Sequence, residues 1–85
     1  MIEHIECTDK EVEDFHKKII KNIRMIRKEK GVTQLDLALT IGHKSMSTIG
    51  KIEANLENKH YNIEHLYKIA KALDIDICEF FKDIK

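Results

Sequence analysis

Proline and tryptophan are absent from this 85-residue chain, which holds only two cysteines, three glycines and five aromatic residues. Cys7 and Cys78 cannot make a disulfide scaffold, and neither has a neighbour at zinc-site spacing. Free thiols in a cytoplasmic protein are the expectation. No apolar run approaches the ~20 residues that span a bilayer, and no targeting segment opens the sequence. Sustained apolar–polar alternation and hairpin turn pairs are both missing, so every element reads helical. The length allows one domain and leaves no room for a separate catalytic or ligand-sensing one. Hydrophobic residues make up 42%, enough for one modest core and too many for a disordered tail.

Fifteen basic and fifteen acidic residues cancel, which argues against a general nucleic-acid binder. Their order is more informative than their sum. Residues 1–15 carry Glu3, Glu6, Asp9, Glu11, Glu13 and Asp14 against Lys10, a net of −5. Residues 16–30 carry Lys17, Lys18, Lys21, Arg24, Arg27, Lys28 and Lys30 against Glu29, a net of +6. An acidic head on a basic helix is a strong dipole that invites shielding of residues 17–30 by residues 3–14; alternately charged, solvated helix faces are the plainer account.

Thr8 and Glu11 have the spacing of a capping box, so a helix starts near Asp9. Val12, Phe15, Ile19, Ile23 and Ile26 form its apolar stripe, and Gly31 ends it. At about 21 residues it is long for a small domain, which leaves room for a break near residues 14–17. Thr33 with Asp36 caps a short helix over 34–41 that Gly42 stops, its inner face being Leu37, Ala38 and Ile41. Ser45 caps a third helix over 46–54 with Ile49 and Ile52 inward and Asn55 as terminator. After a polar loop, Asn62 caps a fourth helix carrying Ile63, Leu66, Ile69, Ala70 and Leu73. Asp76 and Glu79 open a fifth, short one with Ile77, Phe80 and Phe81.

The block IRMIRKEKGVTQLDLALTIGHKSMSTIGKIE, residues 23–53, resembles the phage-repressor and Cro-like (XRE) helix-turn-helix family of bacterial regulators. The resemblance runs over about residues 19–82. Its carriers are Ile23, Ile26 and Arg27, then V-T-Q at 32–34, L-A at 37–38, I-G at 41–42, S-T-I at 47–49, I-E at 52–53, and the tail LYKIAKALDIDICEFF at 66–81. It implies an all-α, compact five-helix, lambda-repressor-like DNA-binding domain over residues 15–85, preceded by an acidic N-terminal helical extension at 1–14. It also implies a sequence-specific transcriptional regulator of repressor type, working on double-stranded DNA as a homodimer at a palindromic operator, and so cytoplasmic and nucleoid-associated. An antitoxin of a toxin–antitoxin pair or a restriction-system controller would look alike. A protein-interaction module that no longer reads DNA is the competing class.

In that frame the helix from Met46 enters the major groove. Met46, Ser47, Thr48 and Lys51 are its candidate base readers: a lysine donates to guanine, a serine hydroxyl pairs with several edges, and a methionine touches a thymine methyl. Thr33, Gln34, Arg24, Lys44, Ser45, Lys59, His60, Tyr61 and Asn62 are candidate phosphate contacts, with Gln34 bracing the backbone by resemblance. Arg27 and Glu53 match the family's ion pair between its first and third helices, a structural role. Phe80, Phe81 and Ile84 are candidate dimer contacts. Three features depart from the family pattern: a longer turn at residues 43–45, Gly50 in mid-helix, and a longer, proline-free loop at 54–62.

Nothing else amounts to a chemical site. His4, His16, His43, His60 and His65 are scattered without finger spacing, so no metal or cofactor is expected. Ser47, His43 and Asp36 come with no nucleophile elbow, so no enzyme is expected. Leu35 and Leu39 leave the second helix apolar nearly all round: either a cover lies over them, the N-terminal segment through Ile2 and Ile5 or a protein partner there or at the acidic extension, or they are two isolated exposed leucines of a common kind.

Overall fold

Side-chain caps mark where three of the four α-helices begin, and one recurring stop marks where all four end. The computed structural model describes residues 4–43 and 45–84. Among them, α1 spans Asp9–Glu29, α2 Gln34–Thr40, α3 Ser47–Glu53 and α4 Ile63–Leu73, followed by a 3₁₀ turn, Ile77–Phe81. The Thr8 hydroxyl accepts the Glu11 amide at 3.1 Å. Thr33 and Asp36 complete a reciprocal box at the start of α2, at 3.0 and 3.3 Å. Asn62 does the same for α4, with His65 rather than a carboxylate returning the bond. Each arm satisfies an amide that the first helical turn leaves unpaired.

All four helices stop alike. At the end of α1 the Gly31 amide donates to the Lys28 carbonyl and the Val32 amide to that of Arg27, at 3.1 and 3.0 Å. The same pair of bonds closes α2 at Gly42 and His43, α3 at Asn55 and Leu56, and α4 at Asp74 and Ile75. The turning residue is left-handed each time, φ being +69° at Gly31, +87° at Gly42, +58° at Asn55 and +53° at Asp74. This is the Schellman arrangement, in which orphan carbonyls are satisfied as the chain reverses.

The five-helix expectation is corrected to four α-helices and a 3₁₀ turn. Residues 77–81 are too few for stable α-helical turns, and the Glu79 amide closes a three-residue spacing onto the Asp76 carbonyl at 3.0 Å. The break considered near residues 14–17 is absent: α1 runs unbroken through them. Acidic side chains lead this helix and basic ones close it, which suits its dipole. Two acids of its first turns make ion pairs along the helix, Asp14 with Lys10 and Glu13 with Lys17, both at 3.2 Å, and the second joins the acidic segment to the first lysine of the basic stretch.

The core gathers Ile19, Ile20 and Ile23 of α1, Leu37 and Ala38 of α2, Ile49 and Ile52 of α3, and Leu66, Ile69, Ala70 and Leu73 of α4. Each large side chain buried this way contributes roughly 1.5–3 kcal/mol relative to exposure. Phe80 joins them at 0% exposure, which corrects its place among the dimer contacts: it is inside the protomer. Phe81 and Ile84 are half-buried against the same cluster, Phe81 with its ring 6.4 Å from that of Phe15. The tail is tied to α1 by side chains the periodicity did not single out. Asn22 Nδ2 donates to the carbonyls of Phe80 and Lys82 at 2.9 and 3.0 Å, and Lys18 Nζ to that of Asp83 at 2.8 Å.

Candidate nucleic-acid interface

The pair α2 and α3 forms a corner whose inner sides are closed by Leu37, Ala38, Ile49 and Ile52, all buried. Neither seven-residue helix would hold by itself, so the corner depends on what grips α3 from behind. That grip is a bidentate ion pair. Arg27 Nε donates to Glu53 Oε2 at 2.8 Å and Nη2 to Oε1 at 2.9 Å, with both side chains nearly fully buried. The third guanidinium nitrogen donates to the Val32 carbonyl at 2.8 Å. Gln34 Nε2 donates to Glu53 Oε1 at 3.0 Å, and Arg24 Nε stands 3.7 Å from that oxygen. The structure thus joins α1, the α1–α2 turn, α2 and α3 at one carboxylate.

The outer side of α3 is left open. Met46 is 56% exposed, Ser47 and Lys51 are exposed, and Thr48 and Gly50 are half-buried. α3 begins at Ser47, one residue later than expected, with Met46 at its N-cap position. Ser45, expected as the cap, lies one residue outside that position: its hydroxyl accepts the Ser47 amide at 3.0 Å while donating to the Ser47 hydroxyl at 2.8 Å. Lys51 Nζ lies 2.9 Å from Glu57 Oε2, a partner the sequence reading missed. A Cβ added at Gly50 would meet only Gln34 Oε1, at 3.8 Å, an ordinary contact. The fold therefore imposes no steric demand for glycine there.

The phosphate candidates scatter in role. Lys59 and His60 are exposed in the loop after α3, and Arg24 is half-exposed beside Glu53. Thr33 and Asn62 are committed as caps, and Gln34 faces the buried carboxylate. Lys44 lies outside the described residues. Tyr61 is a correction: it is 5% exposed, and its buried hydroxyl has no hydrogen-bond partner among the described residues. Burial, followed by the Glu53 charge, pushes that phenol's pKa well above its usual value. Its side chain is core, not a phosphate contact. The signal was local: Tyr61 precedes the Asn62 cap and Leu66 lies four residues beyond it, the two positions of a hydrophobic staple. Leu35 and Leu39 stand exposed, and so does Ile5, so Ile5 does not cover them; Ile2 is outside the described residues.

Four of the histidines pair across elements. His16 of α1 stacks on His60, ring centroids 3.8 Å apart and 14° from parallel. His43, in the α2–α3 turn, meets His65 edge-on at 6.1 Å. Desolvation, then the charge of His60, lowers the pKa of His16; desolvation, then His43, lowers that of His65. His65 Nδ1 also accepts the Asn62 amide at 3.2 Å, which only the neutral ring can do. Both rings therefore bind protons more weakly folded than unfolded, and stability drops as pH falls below the ordinary imidazole value of 6.5. Melting temperature should decline between pH 7.5 and 5.5, and His16→Gln should flatten that decline; an identical slope in the variant would remove His16 from the account.

A capped two-helix corner with an open outer face, fixed to a preceding helix by a buried ion pair, is the architecture of a helix-turn-helix domain. The helix-turn-helix family model matches residues 23–80, and the chain belongs to that family, the Cro-like (XRE) type. It is thereby a helix-turn-helix regulator of a DNA-binding family that is generally non-enzymatic. No curated protein matches the chain. Among the described residues, no helix is long and apolar enough to cross a membrane, and no group of three or more His, Cys, Asp or Glu side chains is placed to hold a metal ion.

Proposed function

We propose that the protein is a sequence-specific transcriptional regulator, of repressor type, that lays α3 in the major groove of duplex DNA. The observation that carries this reading is the open outer face of α3, with Met46, Ser47 and Lys51 exposed on a helix whose last residue is locked to α1. A rigid mount with a free face is what base reading needs, because base contacts require side chains held at fixed positions. Met46, Ser47, Thr48 and Lys51 read base edges, while Arg24, Lys59 and His60 reach phosphates and Thr33, Gln34 and Ser45 fix the helix ends beside the backbone. The tolerated but unused space at Gly50 supports a close approach of DNA to the α3 backbone. One such helix covers few base pairs, so the chain works as a homodimer on two half-sites about one helical turn apart. That places it with the nucleoid in the cytoplasm.

Selection of bound duplexes from a random pool tests this. The expected result is a palindromic consensus, with log affinity falling by ~0.9 per phosphate contact for each unit of log salt. No enrichment, with a flat salt response, would instead favour the protein-interaction module. The pairing of Lys51, the single cation within α3, with Glu57 is the observation on that side.

A further inference from the structure

Glu57 has no evident reason to be where it is. It lies four residues beyond α3 in a loop where Asn55, Glu57 and Asn58 all take positive φ, +58°, +55° and +53°. Asparagine tolerates that region; glutamate is not favoured there. The loop is held by the Leu56 amide on the Lys51 carbonyl at 2.9 Å and the Lys59 amide on that of Leu56 at 3.1 Å. The outcome is a carboxylate turned back against the outer side of α3, 2.9 Å from Lys51 Nζ. Both side chains are about half exposed, and exposed pairs of this kind add little to stability. Stability does not account for the arrangement.

Its chemistry matches one base-pair edge. In the major groove a G·C pair presents the guanine O6 and N7 acceptors beside the cytosine N4 amino donor, and no other pair places a donor and acceptors in that order. Lys51 and Glu57 offer the complement: an ammonium donor next to a carboxylate acceptor. We propose that Lys51 and Glu57 read a G·C base pair as one unit, Lys51 donating to guanine and Glu57 accepting from cytosine, and that Glu57 is a specificity-determining residue. This rests on α3 being the DNA-reading helix. On a matched site both charges find partners. On an unmatched one Glu57 loses Lys51 to a phosphate and is itself left facing phosphates, so its carboxylate works against non-specific binding. The Lys51 hydrogen bond, followed by the Lys51 charge, holds the Glu57 carboxyl below its usual range, so it is ionised at neutral pH.

The test is duplex selection by the full chain and by Glu57→Gln, Lys51→Gln and the double variant, with circular dichroism to verify the fold of each. The wild type should enrich one G·C pair at a fixed position in each half-site, preferring it by about tenfold over A·T. Glu57→Gln should relax that position alone, and should bind random duplex severalfold more tightly at low salt with a steeper salt slope. Adding Lys51→Gln should abolish that gain. A wild-type consensus that Glu57→Gln reproduces unchanged would overturn the proposal while leaving DNA reading intact. Failure of every variant to enrich any duplex would overturn both.

Discussion

Replacing Glu53 by alanine is expected to destabilise the fold by about 3–5 kcal/mol, the usual cost of breaking a buried ion pair from one side. The reason is what the carboxylate leaves behind. Arg27 Nε and Nη2 and Gln34 Nε2 all donate to it, at 2.8, 2.9 and 3.0 Å. Arg27 is only 7% exposed, so its guanidinium cannot turn to water without disrupting the packing around it. A domain of this size has a total stability of roughly 5–15 kcal/mol. The variant should therefore melt at least about 12 °C lower, taking about 4–8 °C per kcal/mol. Replacing Arg27 and Glu53 together by apolar residues of similar volume should cost much less, since no charge is then stranded. Thermal denaturation of both variants decides it: an unchanged melt in Glu53→Ala would show that the pair contributes nothing.

Phe80→Ala should be comparably severe, at about 3–5 kcal/mol, from lost burial plus the cavity left among well-packed neighbours. This outcome separates core from interface. A dimer contact, once removed, would leave the protomer's own stability intact and make melting depend on protein concentration. A core residue lowers the melting temperature equally at every concentration. Phe80 is fully buried, and its carbonyl accepts from Asn22, so the loss should also loosen the tail's tie to α1. A concentration-dependent shift with little effect on the dilute protein would return Phe80 to the interface.

The interface proposed for DNA was partly legible before the structure. Ser47 and Lys51 follow from subtracting Ile49 and Ile52 from a helical wheel, and the structure leaves them exposed. Tyr61 was misplaced because a polar loop surrounds it, although its position before the Asn62 cap carried the staple signal. Glu57 was invisible for a different reason. Its partner lies six residues back across a helix end, a spacing that belongs to no periodic element, and only the left-handed turns at Asn55 and Glu57 bring the two together. The His16–His60 stack joins α1 to a loop more than forty residues later, beyond the reach of any local pattern.

Where α1, α2 and α4 start, and where α1, α2 and α3 turn back, was a matter of sequence alone. Thr8, Thr33 and Asn62 bond to amides three residues away, and Gly31, Gly42 and Asn55 reverse the chain through their own φ, so neighbours along the chain carry the whole cause. The assignment of Arg27 to Glu53 was also readable, through the resemblance. Tertiary structure decided the rest: that α1 stays one helix, that residues 77–81 tighten into a 3₁₀ turn over a buried phenylalanine, and that a loop carboxylate returns to Lys51. Those outcomes depend on packing and charge between segments far apart in the chain, and such contacts form only once the core has brought the segments together.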